Sequence, residues 1–569
     1  MATRRSAPTK PTAGRIAKPN TALSMAHIMP ARCRPCGTPG HSCPRRRIFT
    51  PLASRPGWIL TRPLTGPWPK RSMIGCKTKD TNLSVPPVDI AIIGAGAAGL
   101  ELARLASRAN LRVVLFEQGL SNGRHLFQRI PLMVGKIIGN RKFVDSRQSV
   151  AQSAAAGRAL PMLSGRGLGG SSRVNGNVAY AGPGWRYRQI FAPLGLDFDP
   201  ILTQINHGAP RVASWSDALS QHFLQASQQP IADPDDAFHS ASVLHVNTRR
   251  GWRHNHLENC RQTAKHENIY IIRRPARKIT FEGHRAIGVQ FEGGAILADK
   301  IVLAAGAIGS PDLLMHSGVG DAGMLECAGI DPLLDQPQVG QHLKDHANLR
   351  LAFSCPQYDT LNQKTRGVKA LWEGVKFLLG RENSILRGPG ASAGVNFVND
   401  GNDFRIQLVH FTQDRSVVGA KGIVFERSQK ASLGMYPLWP KSEGAVGLTP
   451  DGVQINPGFL TDPTDVQTTL DAMQTARALI EQMGFAADPV EGSDEAIIRQ
   501  GVYSGYHLIG SNRMSPDAQS GVVAADFAVH GLEGLSVCDA SVLPDHLSSH
   551  SYLPTIAMAR MFGQQRGWL

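Results

Sequence analysis

The run Val88-Asp89-Ile90-Ala91-Ile92-Ile93 passes directly into Gly94-Ala95-Gly96-Ala97-Ala98-Gly99, and this junction constrains the chain more than any other feature. A short apolar run with β-branched residues and no strict alternation reads as a strand buried on both faces, as parallel strands are. After the glycines, Leu102, Leu105, Ala106 and Ala109 recur at helical spacing, which predicts a helix over Leu100–Ala109. Arg112–Phe116 predicts a second strand ending at Glu117. Together they make a βαβ unit, in which the glycines have separate duties. Gly94 permits the tight turn, Gly96 lets backbone approach a pyrophosphate, and Gly99 lets helix and strand pack closely. The helix N-terminus adds free N–H groups and the positive end of its dipole. Glu117, 18 residues after Gly99, stands where a carboxylate accepts hydrogen bonds from a ribose diol. The expectation is dinucleotide binding.

Two later segments narrow this. Gly165–Asn177 (Gly-Arg-Gly-Leu-Gly-Gly-Ser-Ser-Arg-Val-Asn-Gly-Asn) is a donor-rich flexible loop suited to lie along a polar cofactor. Lys300–Gly306 reads as another buried strand and glycine turn, continuing as Ala307–Gly320. With these residues the chain resembles the glucose-methanol-choline (GMC) family of FAD-dependent oxidoreductases, whose two signatures correspond to Gly165–Gly182 and Gly306–Gly320. Val339–His346 resembles the family's VGxNLxDH element, with His342 in place of the usual Asn. The resemblance implies an α/β fold: a Rossmann-like FAD-binding domain assembled from discontinuous pieces, and an α+β substrate domain built on an antiparallel sheet. The expected FAD pieces are residues 87–189, 241–345 and 501–569, with a substrate-domain or connecting segment at 190–240 and the substrate-binding domain at 346–500. It further implies that Gly94, Gly96 and Gly99 face the pyrophosphate and Glu117 the adenosine ribose. Gly169, Gly170, Ser171 and Asn175 would lie along the FAD, and Ala276 would contact the adenine. No histidine occurs in Gly176–Gly182, so a non-covalent FAD is expected.

The C-terminal part carries the chemistry the resemblance implies. His507-Leu508-Ile509-Gly510-Ser511-Asn512-Arg513-Met514 resembles the family's HxxGTxRM element, which makes His507 the expected catalytic base. Imidazole suits that role at neutral pH because its reference pKa is about 6.5. Leu535–Pro544 reads as a last apolar strand running into Asp539 and Ala540, which should lie by the flavin, and His550 is expected to pair with His507 at the substrate hydroxyl. His530 and His546 are read as structural, and Cys538 as a packing residue. No metal site is expected. The stretch Val409–Pro440, with His410, Phe411, Arg415, Phe425, Arg427 and Trp439, is a candidate pocket wall. The function implied is oxidation of a small-molecule alcohol, with oxygen or another electron acceptor. The alternative is an FAD-containing lyase or photodecarboxylase, because a fold does not fix a function.

Charge adds less than it first suggests. The net charge is +17, but residues 1–80 hold 16 of the 61 Lys+Arg against the single acid Asp80, leaving 45 basic and 43 acidic residues beyond them. The excess therefore belongs to a Pro/Arg-rich extension, residues 1–86, expected to be disordered, and nucleic acid is not an expected partner. Cys33, Cys36, His41 and Cys43 there lack the usual zinc spacing. No apolar run reaches the roughly 18 residues a membrane span needs. A cytoplasmic location is expected, with organellar import through the extension as the alternative.

Overall fold

The computed structural model describes residues 88–208, 211–232, 240–398, 401–414 and 422–569. The N-terminal extension, with Cys33, Cys36, His41 and Cys43, lies outside the described residues. Val88–Ile93 (β1) runs parallel to both Val113–Phe116 (β2) and Gly294–Leu303, with Ile92 opposite Leu115 on one side and Val302 on the other. Ile269–Ile272 extends the sheet beyond β2, and Leu535–Val537 extends it beyond Gly294–Leu303, again in parallel. Buried on both faces, Ile90–Ile93, Val113–Phe116 and Ile301–Leu303 need the continuous apolar runs their sequences show. Ala276–Glu282 and Arg285–Phe291 complete seven strands as an antiparallel meander onto the first half of Gly294–Leu303.

The helix of the first βαβ unit, Ala97–Arg108 (α1), starts three residues before the predicted Leu100, because the glycine turn needs only Gly94–Gly96. Its buried Leu102, Ala103 and Ala106 join the main apolar core. The C-terminal helix Tyr552–Gln565 lies so close to α1 that a Cβ on Gly563 would sit 2.6 Å from Leu105 Cδ1. A charged cluster that the helical pattern does not announce crosses this contact. Arg104 donates from Nε and Nη2 to Glu101 at 2.8 and 2.7 Å, and Arg560 of the C-terminal helix donates to the same carboxylate at 3.0 Å. Glu101 is 1 % exposed. Burial would raise its pKa, but Arg104, His256 and Arg560 outweigh that and hold it at about 2.

A second, six-stranded antiparallel sheet runs in the order Tyr503–Ser504, Ala347–Ser354, Lys430–Pro437, Phe404–Val409, Ala391–Phe397, Ala241–Val243. Two of its edge strands depart from the expected segment boundaries. Ala241–Val243 pairs with Ala391–Phe397, and Tyr503–Ser504 pairs with Ala347–Ser354. Both therefore belong to the antiparallel sheet, whereas the resemblance placed them in FAD segments starting at 241 and 501. On the central strand, Phe404, Ile406 and Leu408 enter the apolar core, which also includes Ala472, Met473 and Ala476 of the helix Pro463–Gln482. By alternation, Arg405, Gln407 and Val409 point to the opposite face. Among the described residues no helix is long and apolar enough to cross a membrane.

Glu101→Gln leaves Arg104 and Arg560 buried without their carboxylate and should cost about 3 kcal/mol, measured by denaturant unfolding at neutral pH. Because the folded pKa is depressed to about 2 from 4.5, this stabilisation is present above pH 4.5 and is lost as pH falls toward 2. The variant and the parent should therefore converge in acid.

Candidate active site

Three separated glycine turns meet at the end of β1. Gly94, at φ +108°, leaves room only for hydrogen: a Cβ would stand 2.4 Å from Ala304 O. A Cβ on Gly99 would stand 1.8 Å from Gly94 O. Gly96 differs, because a Cβ there would meet nothing within 4 Å and its φ of −73° suits any residue. Protein packing does not require glycine at that point, whereas a ligand pressed against the backbone would. The first turn of α1 has no side-chain cap, so its N–H groups face the same space. The Gly165–Asn177 loop closes the cradle. Gly169 N–H donates to Ala95 O at 2.8 Å, and a Cβ on Gly170 would stand 2.9 Å from Gly96 Cα. These residues fit the pyrophosphate of an FAD.

The remaining sequence-predicted cofactor residues also tie loops together. Glu117 accepts N–H bonds from Gly119 (2.7 Å), Gly167 (3.0 Å) and Ala95 (3.3 Å), joining both glycine loops to the end of β2. Ser171 Oγ accepts from Gly165 N–H at 3.0 Å. Asn175 Oδ1 receives Arg253 Nη1 at 2.6 Å, and Arg253 also donates to Asn175 O, Ser172 O and Asn177 Oδ1. Arg253, fully enclosed, is the organiser of this loop and carries no motif of its own. Ala276 opens an edge strand shortly beyond Ile272, whose carbonyl accepts Glu117 N–H. Asp539 accepts from Gly306 N–H (2.8 Å), Ser310 Oγ (2.6 Å) and Ser541 N–H (2.8 Å), so it fastens the last strand to the turn that begins Gly306–His316. Ala540 follows in a short helical turn, its carbonyl accepting Gly510 N–H.

Beside this cradle lies a cluster of four histidines. The rings of His507 and His550 are 4.9 Å apart at 69°, so the structure brings the two predicted histidines together. Two more complete the group. His346 Nδ1 lies 2.9 Å from His507 Nδ1, and the rings of His346 and His546 stack at 3.9 Å. The hydrogen bonds fix the tautomers. His346 Nε2 is 3.0 Å from Leu438 O, and a carbonyl can only accept, so that nitrogen carries the proton. His346 Nδ1 is then the acceptor and His507 Nδ1 the donor, which leaves His507 Nε2 with a free lone pair. Desolvation, and then the neighbouring His550 and His346, hold His507 well below its ordinary value. His346 is likewise lowered, to about 4, by burial. Asp345 accepts His507 N–H at 2.8 Å and a hydrogen bond from Ser504, placing the histidine's backbone.

Asp345 and His346 were within sight in the Val339–His346 element but held no assigned role. His342, in that element, adopts φ +59°, the left-handed conformation that suits the family's asparagine and that histidine also tolerates. Of the stretch Val409–Pro440, Trp439 borders a cavity that also touches Arg405 and Ser549. His410 instead bonds Ser392 Oγ at 2.7 Å, Phe411 packs on Phe425, and Arg415 lies outside the described residues. Cys538 is fully buried, and burial raises its thiol well above the ordinary range, as befits a packing residue.

The contrast between two glycines gives a test. Gly96→Val should yield folded protein that retains no FAD, read from visible absorbance and circular dichroism together. Gly99→Val should fail to accumulate as folded protein, because its side chain collides with the Gly94 carbonyl.

Comparison with known proteins agrees with this architecture. Models of the GMC oxidoreductase family match residues 204–348 and 440–559. The chain is 27 % identical to an alcohol dehydrogenase [acceptor] of Pseudomonas putida over 525 residues, covering 83 % of this chain and 94 % of that protein. An oxygen-dependent choline dehydrogenase of Staphylococcus xylosus is 26 % identical, covering 83 % and 93 %. In fold, pyridoxine 4-oxidase from Mesorbium loti superposes with a TM-score of 0.73 at 22 % identity, covering 84 % of this chain and 99 % of that one. A formate oxidase from Aspergillus oryzae RIB40 superposes with a TM-score of 0.74 at 20 % identity, covering 84 % and 97 %. The paired glycine loops, the discontinuous parallel sheet and both matched segments have one reading: the chain belongs to the GMC oxidoreductases.

Proposed function

We propose that this protein oxidises an alcohol to the aldehyde or ketone, with His507 as the base and FAD held by the glycine cradle. The observation that carries the reading is the free Nε2 of His507, whose other nitrogen is committed to His346. FAD, when bound, supplies the two-electron acceptor for the hydride that leaves the carbinol carbon. The protein's own work is to hold the substrate hydroxyl and take its proton. His507 Nε2 receives that proton as the C–O bond becomes a carbonyl. His550 Nδ1 lies 2.9 Å from Ser549 Oγ, and with Ser549 donating to it, His550 presents Nε2–H to the substrate oxygen. Both imidazoles are held neutral by desolvation, so each can play its part without first losing a proton. They act as a coupled pair. Gly94, Gly96, Gly99, Gly169 and Gly170 would hold the cofactor through backbone, with Glu117, Ser171, Asn175, Ala276, Asp539 and Ala540 along its length. Oxygen or another electron acceptor completes the cycle.

Two measurements test this. His507→Ala should retain FAD but reduce it at least about 100-fold more slowly on anaerobic mixing with a panel of alcohols. Near-normal reduction would remove His507 from the reaction. In the parent enzyme, the lowered pKa of His507 places the loss of the base at lower pH, because protonation abolishes it. Flavin reduction should therefore persist below pH 6.5, the ordinary imidazole value, and fall only in more acid solution.

A further inference from the structure

The face of the antiparallel sheet turned toward the histidines carries a buried cation with no countercharge. Arg405 is 1 % exposed. Its Nη1 donates to Asn396 Oδ1 at 2.7 Å, while Nε and Nη2 have no hydrogen-bond partner, and it forms no ion pair among the described residues. The site is shaped for the group. Gly394, on the neighbouring strand, has no Cβ where the guanidinium lies: one would stand 2.3 Å from Arg405 Nη2. The guanidinium carbon sits 5.2 Å from the ring centre of Tyr180, and the same ring lies 6.1 Å from that of His550. Arg405 borders the cavity that Asn396, Trp439 and Ser549 also line, one residue from the proposed catalytic His550. Its charge acts on His550 as well, adding to desolvation in lowering that imidazole.

Arginine cannot escape burial by losing its proton, so an enclosed guanidinium needs an anion or a full set of acceptors. Here it has one acceptor, and the imidazoles around it are neutral. A planar fork with two unpartnered donors matches a carboxylate. We propose that Arg405 binds a carboxylate carried by the substrate, so that the alcohol oxidised is a hydroxy acid. This rests on the alcohol-oxidising reading above and adds the substrate class. The carboxylate neutralises Arg405 while the hydroxyl, at the other end, reaches His507 and His550. The reaction is otherwise unchanged: the hydroxyl proton goes to His507, the hydride to FAD, and the carboxylate leaves intact on the aldehyde or keto product. The same charge opposes a quaternary ammonium, so choline should be a poor substrate even though choline dehydrogenases are among the relatives.

The test compares glycolate, mandelate and ω-hydroxyhexanoate with their methyl esters in anaerobic flavin reduction, alongside choline. At least one acid should exceed its ester by about 100-fold in reduction efficiency, and Arg405→Met should close that gap, with Arg405→Lys between them. A second readout needs no turnover. Benzoate and hexanoate should perturb the visible flavin spectrum and raise the melting temperature of the parent enzyme, with about 100-fold weaker binding to Arg405→Met of equal flavin content. Esters or choline that reduce the flavin as well as the acids do would overturn the carboxylate assignment while leaving alcohol oxidation standing. An acid preference that survives Arg405→Met would overturn it too. Flavin that binds benzoate but is reduced by no alcohol would refute alcohol oxidation, and the hydroxy-acid assignment with it.

Discussion

Everything in this structure depends on the close approach of bare backbone at the end of β1. Gly94 lies against the Ala304 carbonyl, Gly99 against Gly94, and Gly170 against Gly96, each at a distance that no Cβ would allow. These contacts bring together segments separated by tens to hundreds of residues, and the parallel strands Val88–Ile93, Gly294–Leu303 and Leu535–Val537 follow from them. Side chains then secure what the glycines permit. Glu117 binds both loops, Asp539 binds the last strand to the Gly306 turn, and Glu101 binds the C-terminal helix to α1. A carboxylate accepting several N–H or guanidinium bonds does this well, because each oxygen has two lone pairs and the buried charge is met by donors on all sides. The cofactor cradle is thus a consequence of chain closure as much as a ligand site.

The histidine cluster sits at the seam between the two sheets. Asp345 and His346 immediately precede the strand Ala347–Ser354, and His507 follows Tyr503–Ser504, which pairs with that strand. His550 arrives from the other side, just before the C-terminal helix. Placement at a seam explains how imidazoles can be largely desolvated yet keep an open side toward a ligand space. It also sets the electrostatics. Desolvation lowers the basicity of all four rings, and the guanidinium of Arg405 adds to that effect at His550. In the proposed reaction that charge has to be answered by the substrate.

The parts of this arrangement legible in the sequence are those written locally. The Val88–Glu117 unit has its strand, turn, helix and terminal acid in one uninterrupted stretch, so periodicity and glycine spacing suffice. His507 and His550 were legible through the segments around them. Arg405 was not. The strand Phe404-Arg405-Ile406-Gln407-Leu408 alternates apolar and polar, which by itself reads as one buried and one solvated face. The polar face is in fact roofed by the flavin-binding half, a fact held only in long-range pairing. Arg253 and Glu101 escaped for the same reason, since a charged residue on a strand or helix reads as solvent-facing until the covering element is known. The edge strands Ala241–Val243 and Tyr503–Ser504 are too short to announce which sheet they join.

This division has a physical consequence for how such a protein can change. The cradle contacts are made by backbone, at Gly94, Gly99 and Gly170 where no Cβ fits and at Gly96 where a side chain would enter the ligand space, so alteration there breaks either the fold or the grip on the cofactor. The opposite wall is a sheet face whose side chains, Arg405, Gln407 and Tyr436 among them, stand on strands held by their own hydrogen bonds and by the apolar core behind them. A substitution on that face can change shape and charge without loosening the ladder that supports it. Residues 349–439, between the two segments that the family models match, hold Ala391–Phe397, Phe404–Val409 and Lys430–Pro437 entire and most of Ala347–Ser354, four of the six strands that build this wall. Substrate choice can therefore vary over a fixed redox scaffold, and the buried guanidinium of Arg405 is the point on this wall where the choice carries a charge.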